Sequence, residues 1–364
     1  LGYSLAQWWL DRNFNPILLI GTDTRESNQR IKAALVNGLT KAGIEIWDAG
    51  ILPSAALSFL IAQNSELGGA VMISAPHNPI FENGIKVFDE RGMKISDSEE
   101  AKIEDTFFSS EERTGFPNKS AAVRPSNALI EQYTKALVSE FDDAGWHKHK
   151  ILVDCANGAS YWTAQAVLKK LGIHHAIHNI IPDGTNINFG VGSEFVRKFP
   201  REFANELHKS GAEFGVAFDG DADRVVFVDR RGVLYDGDML LSIAASFMHD
   251  RGLLRNKKVV ITQMSNSGLA EHLLKLGIQT QVVRDGDKYI TDLLVDDDLS
   301  LGGEQIGHLI FRTQPLNVTG DGLRTFLWIL RALSENKDLA LHDPMRGLRK
   351  WPQINVSVML GGRM

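Results

Sequence analysis

The sequence predicts an α/β protein whose domains lie side by side. Its 364 residues are too many for one ordinary hydrophobic core, so two or three domains are expected. A strand-like apolar run, a polar turn and a helical apolar pattern follow one another at the start of the chain, and the pattern restarts after residue 127 and after Gly232. Repeated strand–helix units form sheets covered by helices. Ligands of such sheets bind beyond the carboxyl ends of the strands, so the polar turns are expected to line one cleft.

The first block predicts a strand, a helix and two further strands. Its first strand is Ile17 to Ile20, and the polar turn GTDTR follows directly. Ser27 is the predicted N-cap of the helix, and Gly43 suits the position just after its end. The next strands are predicted at residues 44–47 and 70–74.

The second and third blocks repeat this arrangement. Polar residues around 109–127 predict a linker before the second block. The second block has predicted helices near residues 128–142 and 161–171 and strands at 151–153 and 214–218. The third block has predicted helices near 237–250 and 268–275, a strand at 259–262 and a glycine-rich turn at 302–308.

Composition and charge exclude several classes of function. An apolar fraction of 43% and a charged fraction of 23% are typical of a soluble globular protein. The net charge of −6 argues against a surface for nucleic acid or for an anionic membrane. No apolar stretch approaches the roughly 20 residues of a membrane span, and no signal-peptide pattern appears. The single Cys155 cannot form an internal disulfide, which favours a cytoplasmic protein.

Three aspartates follow the predicted strand at residues 214–218. Asp219, Asp221 and Asp223 alternate along the chain, and an extended backbone would place their carboxylates on one side. Carboxylates within about 4–6 Å of one another repel unless protons or a cation intervene. Oxygen ligands suit a hard ion such as Mg²⁺, and the adjacent Arg224 could pair with a phosphate. An acidic surface turn is the alternative, but the position after a buried strand favours a metal site.

Five other polar side chains are candidates for handling a phosphate or a sugar. Arg25 could neutralise a phosphate, or lie solvated in the first turn of its helix. Lys86 could shuttle protons beside a strand, or lie on the surface. His77 and His308, taken singly, are more often structural than catalytic. The glycine-flanked Glu304 could accept hydrogen bonds from sugar hydroxyls.

Taken together, these turns make the sequence similar to the α-D-phosphohexomutase family. The matching stretches, in the family's order, are GTDTRES, ISAPHNPIFENGIKVF, DCANGAS, FDGDADRVVFVD, MSNSGL, GDKYI, GGEQIGHLIF and TGDGL. They extend over nearly the whole chain, and DGDADR is highly specific. GGEQ and TGDGL favour the branch that acts on glucosamine phosphates in bacterial cell-wall precursor synthesis over the phosphomannomutases.

The resemblance implies an isomerase that interconverts glucosamine 6-phosphate and glucosamine 1-phosphate. A phosphoserine would donate its phosphoryl group to the sugar phosphate, and glucosamine 1,6-bisphosphate would serve as intermediate and activator. The aspartates at 219, 221 and 223 would hold Mg²⁺. The groups implied around the transferring phosphoryl group are Arg25, His77, Lys86 and the phosphoserine position, Pro76. The implied substrate-binding residues are Arg224, Lys288, Glu304, Ile306 and His308.

The resemblance also implies three related α/β domains with mixed sheets around a central cleft, and a smaller fourth domain. The expected limits are residues 1–127 for domain I with the catalytic loop, 128–231 for domain II with the metal loop, and 232–346 for domain III with the sugar loop. Residues 347–364 are expected to begin the fourth domain, most of which is absent from this chain, as is the family's opening phosphate segment. The expected partner is a phosphorylated amino sugar, and the expected state is a monomer or homodimer.

Three positions depart from the family's pattern. Pro76 stands where the family has its phosphoserine, and proline has no hydroxyl to carry a phosphoryl group. Ser74 would lie about 6.6 Å away along an extended strand, too far for the same attack, so it is expected to support the turn. Ile306 replaces a serine of the sugar loop, and Asp285 replaces an apolar residue near the expected phosphate path.

Other hypotheses stay open beside the active enzyme. Pro76 and Ile306 favour a catalytically impaired relative that acts as a binding or regulatory protein, whereas the retained acidic turn, Arg25 and Lys86 favour the enzyme. A phosphomannomutase or phosphoglucomutase activity is a weaker alternative. A phosphatase-like hydrolase with Asp219 as nucleophile is disfavoured, because the flanking turns all match the mutase family.

Overall fold

The structure is a computed structural model that describes residues 1–75, 80–109, 121–142, 150–313, 318–335 and 348–354. These residues form three sheets with helices on their faces. Among the helices of the described residues, none is long and apolar enough to cross a membrane. Each sheet and its helices are called a unit below.

The first unit has a five-stranded sheet in the order β4-β3-β1-β2-β5. Its elements are α1 (Gly2–Asp11), β1 (Ile17–Thr22), α2 (Ser27–Lys41), β2 (Glu45–Ile51), α3 (Ser54–Gln63), β3 (Gly69–Ile73), β4 (Ile85–Phe88), α4 (Asp97–Phe108) and β5 (Val123–Pro125). All five residues of β3 are buried, as the apolar run in the sequence predicts. Gly43 follows the end of α2 with a φ of +90°, which a residue without a Cβ adopts at little cost.

The second unit also has five strands, in the order β10-β9-β8-β6-β7. Its elements are α5 (Ile130–Phe141), β6 (Ile151–Asp154), α6 (Tyr161–Lys170), β7 (His175–His178), α7 (Gly192–Lys198), α8 (Pro200–Ser210), β8 (Phe214–Phe218), β9 (Val225–Asp229) and β10 (Leu234–Tyr235). Pro200 opens α8 at a position where its missing N–H costs nothing, and the left-handed Gly211 ends it.

The third unit has four strands, in the order β12-β11-β13-β14. Its elements are α9 (Gly237–Asp250), β11 (Lys258–Thr262), α10 (Ser267–Lys275), β12 (Gln279–Val283), α11 (Asp287–Asp296), β13 (Leu301–Gly303), β14 (Leu309–Phe311) and α12 (Gly322–Glu335). The side chain of Asp236 caps α9 by accepting a hydrogen bond from the Met239 N–H.

The three sheets share one topology. In each, the first strand lies between the second and third, parallel to both, and a fourth strand pairs antiparallel with the third. The third and fourth strands therefore always form a hairpin. The hairpin connections are loop I (residues 74–84, of which 76–79 are not described), loop II (219–224) and loop III (304–308). The expectation of three related α/β units with mixed sheets is confirmed.

Different forces join the units. The ring of Phe326 in α12 lies 6.4 Å from that of Phe218 and 6.1 Å from that of Phe227, so the second and third units share an apolar core. In contrast, the first and third units meet through ion pairs, such as Lys94 with Asp287.

Two expectations from the sequence are corrected. Ser27 is the first residue of α2 and Glu26 its N-cap, and the Ser27 hydroxyl instead accepts a hydrogen bond from Asn83 at 3.0 Å. The expected linker at 109–127 contains β5, which pairs with β2 and extends the first sheet. In addition, β10 at residues 234–235 pairs with the second sheet, beyond the predicted limit at 231. The domain limits themselves stay a prediction.

Candidate active site

A cleft of about 880 Å³ opens where the three units meet. Its wall includes Lys86 and Lys94 from the first unit, Asp223 and Arg224 from the second, and Glu304 and His308 from the third. Because loops I, II and III are equivalent hairpin connections, three copies of one fold bring different side chains to one place. Charged side chains from all three units line the cleft, as expected of a site for a charged ligand.

Loop II carries a concentration of buried charge beside the cleft, and of its three aspartates Asp223 lines the cleft wall. Asp219, Asp221 and Asp223 are each at most 4% exposed, and one carboxylate oxygen from each lies within 4.8 Å of the others. One buried oxygen of each residue (Asp219 Oδ2, Asp221 Oδ1 and Asp223 Oδ1) has no hydrogen-bond partner among the described residues. Buried carboxylate oxygens need a proton, a donor or a cation. The residues present therefore fit a hard divalent cation.

A tight turn, and not an extended strand, brings these carboxylates together. The sequence-based expectation of an extended backbone is wrong here, because Ala222 has a φ of +59° and its N–H donates to the Asp219 carbonyl at 3.1 Å. Glycine is required at position 158, where a Cβ would lie 2.4 Å from the carbonyl oxygen of Gly220. The polar turn at 154–158 therefore supports loop II from behind, and none of its residues is among the described residues of the cleft wall.

Lys86 in β4 reaches across from the first unit to loop II. Its Nζ lies 2.6 Å from Asp221 Oδ2 and 3.0 Å from Asp223 Oδ2. Burial lowers the pKa of Lys86, but the carboxylates of Asp221 and Asp223 raise it by more than burial lowers it. The net effect is a raised pKa, so the ammonium group stays charged. The bonded oxygens are not the unpartnered ones, so a cation and Lys86 can occupy loop II together.

The pKa values of Asp219 and Asp223 shift in opposite directions. Burial and the carboxylates of Asp223 and Asp221 raise the pKa of Asp219 well above its usual value. Burial would also raise the pKa of Asp223, but Lys86 and His308 hold it well below its usual value. The Nε of Arg224 lies 3.7 Å from both Asp219 Oδ2 and Asp223 Oδ1. Of these two carboxylates, Asp219 is therefore the one whose negative charge the surroundings stabilise less.

Loop III presents Glu304, Ile306 and His308 to the cleft. The ring of His308 lies between two carboxylates, with Nδ1 3.6 Å from Asp223 Oδ1 and Nε2 3.5 Å from Asp287 Oδ2. Burial lowers the pKa of His308, and these carboxylates more than reverse that shift. Burial raises the pKa of Glu304, whose Oε1 accepts a hydrogen bond from the Gly286 N–H at 3.3 Å. The apolar Ile306 and the acidic Asp285 also line the wall.

Arg25 lies buried beside loop I. Its Nε donates to Asp23 Oδ2 at 3.1 Å, one terminal nitrogen donates to the Glu82 carbonyl at 3.2 Å, and the other donates to the Ala75 carbonyl. Arg25 therefore links the two described ends of loop I. Ser74 supports the same cluster through a 2.8 Å bond to Asp23 Oδ2. The structure does not place Arg25 on the wall of the cleft.

Lys288 is also placed away from the other predicted site residues. Its ammonium group pairs with Asp97 and lies 3.5 Å from Glu100 Oε2, both in α4. It lines a separate groove of about 300 Å³ together with Trp8 and Arg91. Pro76 and His77, the two predicted catalytic positions in loop I, lie outside the described residues.

Several residues that line the cleft or contact loop II have no clear signal in the sequence. The N–H of Ser54 donates to the Asp221 carbonyl at 3.1 Å, and its hydroxyl bonds the Asp221 carboxylate. Lys94 forms an ion pair with Asp287. Arg197 and Lys198 line the cleft from α7. Apart from Asp221, the one of these residues that belongs to a stretch matching the family is Asp287, in GDKYI.

Sequence comparison places the chain in a known family. It matches the models "Phosphoglucomutase/phosphomannomutase, alpha/beta/alpha domain I" over residues 1–114, domain II over 131–232 and domain III over 236–347. Relatives named phosphoglucosamine mutase include that of Dictyoglomus thermophilum, 36% identical over 94% of this chain and 73% of the relative. That of Clostridium acetobutylicum is 38% identical over 97% of this chain and 78% of the relative.

Solved structures share the fold. A phosphoglucomutase/phosphomannomutase family protein from Burkholderia thailandensis superposes with a TM-score of 0.81 at 22% identity, over 96% of this chain and 74% of that one. The N-acetylphosphoglucosamine mutase of Aspergillus fumigatus, solved with GlcNAc-6P and magnesium, has a TM-score of 0.63 at 19% identity, over 82% of this chain and 77% of that one. The chain therefore belongs to the phosphoglucomutase/phosphomannomutase family, the α-D-phosphohexomutases.

Proposed function

We propose that the chain is a phosphoglucosamine mutase, which interconverts glucosamine 6-phosphate and glucosamine 1-phosphate through a phosphoserine enzyme and a 1,6-bisphosphate. The observation that carries the proposal is the set of three buried carboxylates in loop II, each with an unpartnered oxygen, beside Lys86 and Arg224. The relatives named phosphoglucosamine mutase, at 36% and 38% identity, support the choice of sugar.

The proposed chemistry depends on neutralising and positioning a phosphoryl group. The aspartates of loop II would hold Mg²⁺, which would supply positive charge to the phosphoryl oxygens during transfer. Lys86 and Arg224 hold fixed positive charge next to the same carboxylates. His308 is held between Asp223 and Asp287, where a protonated ring adds positive charge to the wall of the cleft. These groups need no rearrangement when negative charge develops.

Glu304 is the proposed sugar ligand. It is buried at the base of loop III, and its backbone is fixed by the Gly237 N–H, which donates to the neighbouring Gln305 carbonyl at 2.9 Å. Residue 237 must be glycine, since a Cβ there would lie 1.9 Å from the Glu304 carbonyl oxygen. A carboxylate held this rigidly can accept two hydrogen bonds from adjacent hydroxyls of a sugar.

The test of the proposed function is a substitution at Pro76, because this residue occupies the position of the family's phosphoserine. We expect the chain with Pro76→Ser, incubated with glucosamine 6-phosphate, Mg²⁺ and a trace of the bisphosphate, to form the 1-phosphate. The chain with Pro76 should turn over more slowly by roughly 10³-fold or more, since the nucleophile is missing. Equal rates would contradict the role of position 76, and no product from either would contradict the proposed function.

The metal site has its own test. Asp221→Asn should weaken Mg²⁺ binding by at least about tenfold, measured by isothermal titration calorimetry, because a hard cation loses a charged ligand. The control is Asp298→Asn, whose side chain is 69% exposed and pairs with Arg255. If Asp221→Asn binds Mg²⁺ as well as the control does, loop II is not the metal site.

The remaining proposals concern the setting of the enzyme. We propose a cytoplasmic enzyme, on the single buried Cys155 and the sugar phosphate it would consume. Its proposed state is a monomer or homodimer, and its proposed partner a phosphorylated amino sugar.

A further inference from the structure

Ser54, the first residue of α3, ties the first unit to the middle aspartate of loop II. Its N–H donates to the Asp221 carbonyl at 3.1 Å, and its hydroxyl donates to Asp221 Oδ2. Ser54 is 2% exposed, and Asp221 is fully buried. One bond to the backbone and one to the side chain together fix both the position of Asp221 and the rotation of its carboxylate.

The donors to the Asp221 carboxylate come from a different unit than the aspartate itself. Among the described residues, these donors are Ser54 and Lys86, which both belong to the first unit. Asp219, in contrast, accepts a hydrogen bond from the Arg224 N–H of its own loop at 3.2 Å. The orientation of the Asp221 carboxylate therefore depends on the first unit, although the residue belongs to the second.

Both donors bind the same oxygen of Asp221. Lys86 Nζ lies 2.6 Å from Oδ2, which the Ser54 hydroxyl also binds, and 3.5 Å from the Ser54 Oγ. The other oxygen, Oδ1, is buried and has no hydrogen-bond partner among the described residues. A buried carboxylate oxygen without a donor needs a proton or a cation. Because two donors hold Oδ2, Oδ1 stays the oxygen that is available to a cation.

The first unit holds Ser54 firmly in this place. Pro53 precedes α3 with a φ of −58°, which its ring restricts. Leu57 and Leu60 of the same helix are fully buried in the core. The N–H of Ser54 is one of the first N–H groups of α3, which have no acceptor within a helix, so its bond to Asp221 does not weaken the helix.

We propose that Ser54 is a positioning residue for the divalent cation that loop II would hold. The proposal rests on the proposed function, in which the aspartates of loop II bind Mg²⁺. Ser54 would act through Asp221 and not as a ligand, because its hydroxyl holds Oδ2 and leaves Oδ1 for the cation. The metal site, whose carboxylates all belong to the second unit, would thus take its full geometry only in contact with the first.

Two calorimetric titrations, one with MgCl₂ and one with CaCl₂, test this without any turnover. Ser54→Ala should bind Mg²⁺ roughly tenfold more weakly, because removing a group that holds a metal ligand commonly costs at least about this much. Its affinity for Ca²⁺ should fall by only about two- to threefold, because Ca²⁺ accepts variable geometry whereas Mg²⁺ demands a near-ideal octahedron. Ser54→Thr, which keeps the hydroxyl, should retain both affinities.

The matched control is Ser58→Ala, one turn further along α3. The Ser58 hydroxyl is also buried, but it donates to the Gly92 carbonyl at 2.6 Å within the first unit. This variant should bind both cations as the unsubstituted chain does. Unchanged Mg²⁺ affinity in Ser54→Ala, equal losses for Mg²⁺ and Ca²⁺, or no recovery in Ser54→Thr would overturn the proposal. Absence of Mg²⁺ binding by the unsubstituted chain would instead contradict the metal site of the proposed function, so the two failures are distinct.

Discussion

Lys86 is the side chain that stabilises loop II when no metal is bound. Its ammonium group contacts two buried carboxylates, and its own side chain is only 16% exposed. Removing one partner of a buried ion pair leaves the other charge uncompensated, which costs on the order of 3–5 kcal/mol. Lys86 and the proposed divalent cation would thus perform overlapping electrostatic roles in the same loop.

Lys86→Met should therefore destabilise the protein most strongly in the presence of a chelator. We expect the free energy of unfolding to fall by about 3 kcal/mol in EDTA, measured by urea denaturation, because Asp221 and Asp223 lose their cation. Mg²⁺ should raise the unfolding midpoint of the variant more than that of the unsubstituted protein, since the cation then replaces the missing charge.

The control for this prediction is Lys102→Met. Lys102 is 62% exposed and pairs with Glu99 at 2.9 Å on the surface of α4, so its removal should cost less than about 1 kcal/mol. An equal response of Lys86→Met and the unsubstituted protein to Mg²⁺ would show that Lys86 does not share loop II with the cation.

The sequence predicts some site residues well and others poorly, for a physical reason. Asp219, Asp221 and Asp223 are close in the chain and follow a strand, so their proximity is local and can be inferred. The partners of Arg25 (the carbonyls of Ala75 and Glu82) lie far away in the chain, at separations of 50 and 57 residues. Whether a cation faces the cleft or a neighbouring carbonyl depends on such distant contacts, which spacing does not reveal.

At the scale of elements, a buried polar network joins α5 to the start of α12. The Tyr133 hydroxyl donates to both carboxylate oxygens of Asp321, at 3.0 and 2.9 Å. Arg324 pairs with Glu140 at 2.8 Å and donates its backbone N–H to Asp321 at 2.9 Å. Burial raises the pKa of Asp321 to about 6. The network fixes the second unit against the third, at a cost in desolvated charge.

This network predicts a specific dependence of stability on pH. Between its usual pKa near 4 and about 6, Asp321 binds more protons in the folded than in the unfolded state, so its contribution to stability falls as pH rises. Asp321→Asn removes this fall. The stability of the variant relative to the unsubstituted protein should rise by on the order of 2–3 kcal/mol from pH 4 to 6 and then stay constant, as urea denaturation would measure.

A second variant, Tyr133→Phe, tests whether the pH dependence arises from Asp321. The Tyr133 hydroxyl lowers the pKa of Asp321 by donating to its carboxylate, although burial dominates the shift. Tyr133→Phe should therefore extend the fall in stability above pH 6. A relative stability of Asp321→Asn that does not vary with pH would show that Asp321 ionises normally in the folded protein.

Most elements could be predicted from local pattern, and the exceptions have non-local causes. The strand at Phe214–Phe218 and the helix at Gly237–Asp250 lie where the apolar pattern places them. However, β5 is three exposed residues that form a strand only because β2 offers its edge for pairing. Exposed strands as short as this one carry no pattern of their own.

At the scale of the molecule, the contact between the first and third units depends on charge. Asp97, at the start of α4, pairs with Lys288 and accepts a hydrogen bond from the Tyr289 hydroxyl at 2.7 Å. Its side chain is 55% exposed, so salt screens the interaction. The second and third units are instead held by the rings around Phe326, which salt does not weaken.

Asp97→Asn should loosen the first unit from the third and leave the other interface intact. We expect amide hydrogen exchange at residues 287–289 to rise by about twofold, because an exposed ion pair contributes less than about 1 kcal/mol. Exchange in α12 should not change. Raising the NaCl concentration to about 0.5 M should have the same effect on the unsubstituted protein.

The control is Glu104→Gln on the exposed face of the same helix, which should leave exchange unchanged. Exchange that rises equally in α11 and α12 would contradict the distinction between a charged and an apolar interface.

The three equivalent hairpin loops are separate stretches of the sequence, so each proposed task of the site is encoded in its own segment of the gene. In the proposed function, metal and phosphoryl chemistry depend on loops I and II, whereas the sugar would bind loop III, five residues between β13 and β14. Because each loop is anchored on its own sheet, one can be exchanged while the scaffolds of the others stay in place. Replacing loop III with that of a relative that prefers another sugar should therefore change which hexose phosphate binds. Loops I and II, which would carry out the phosphoryl transfer, should keep their structure.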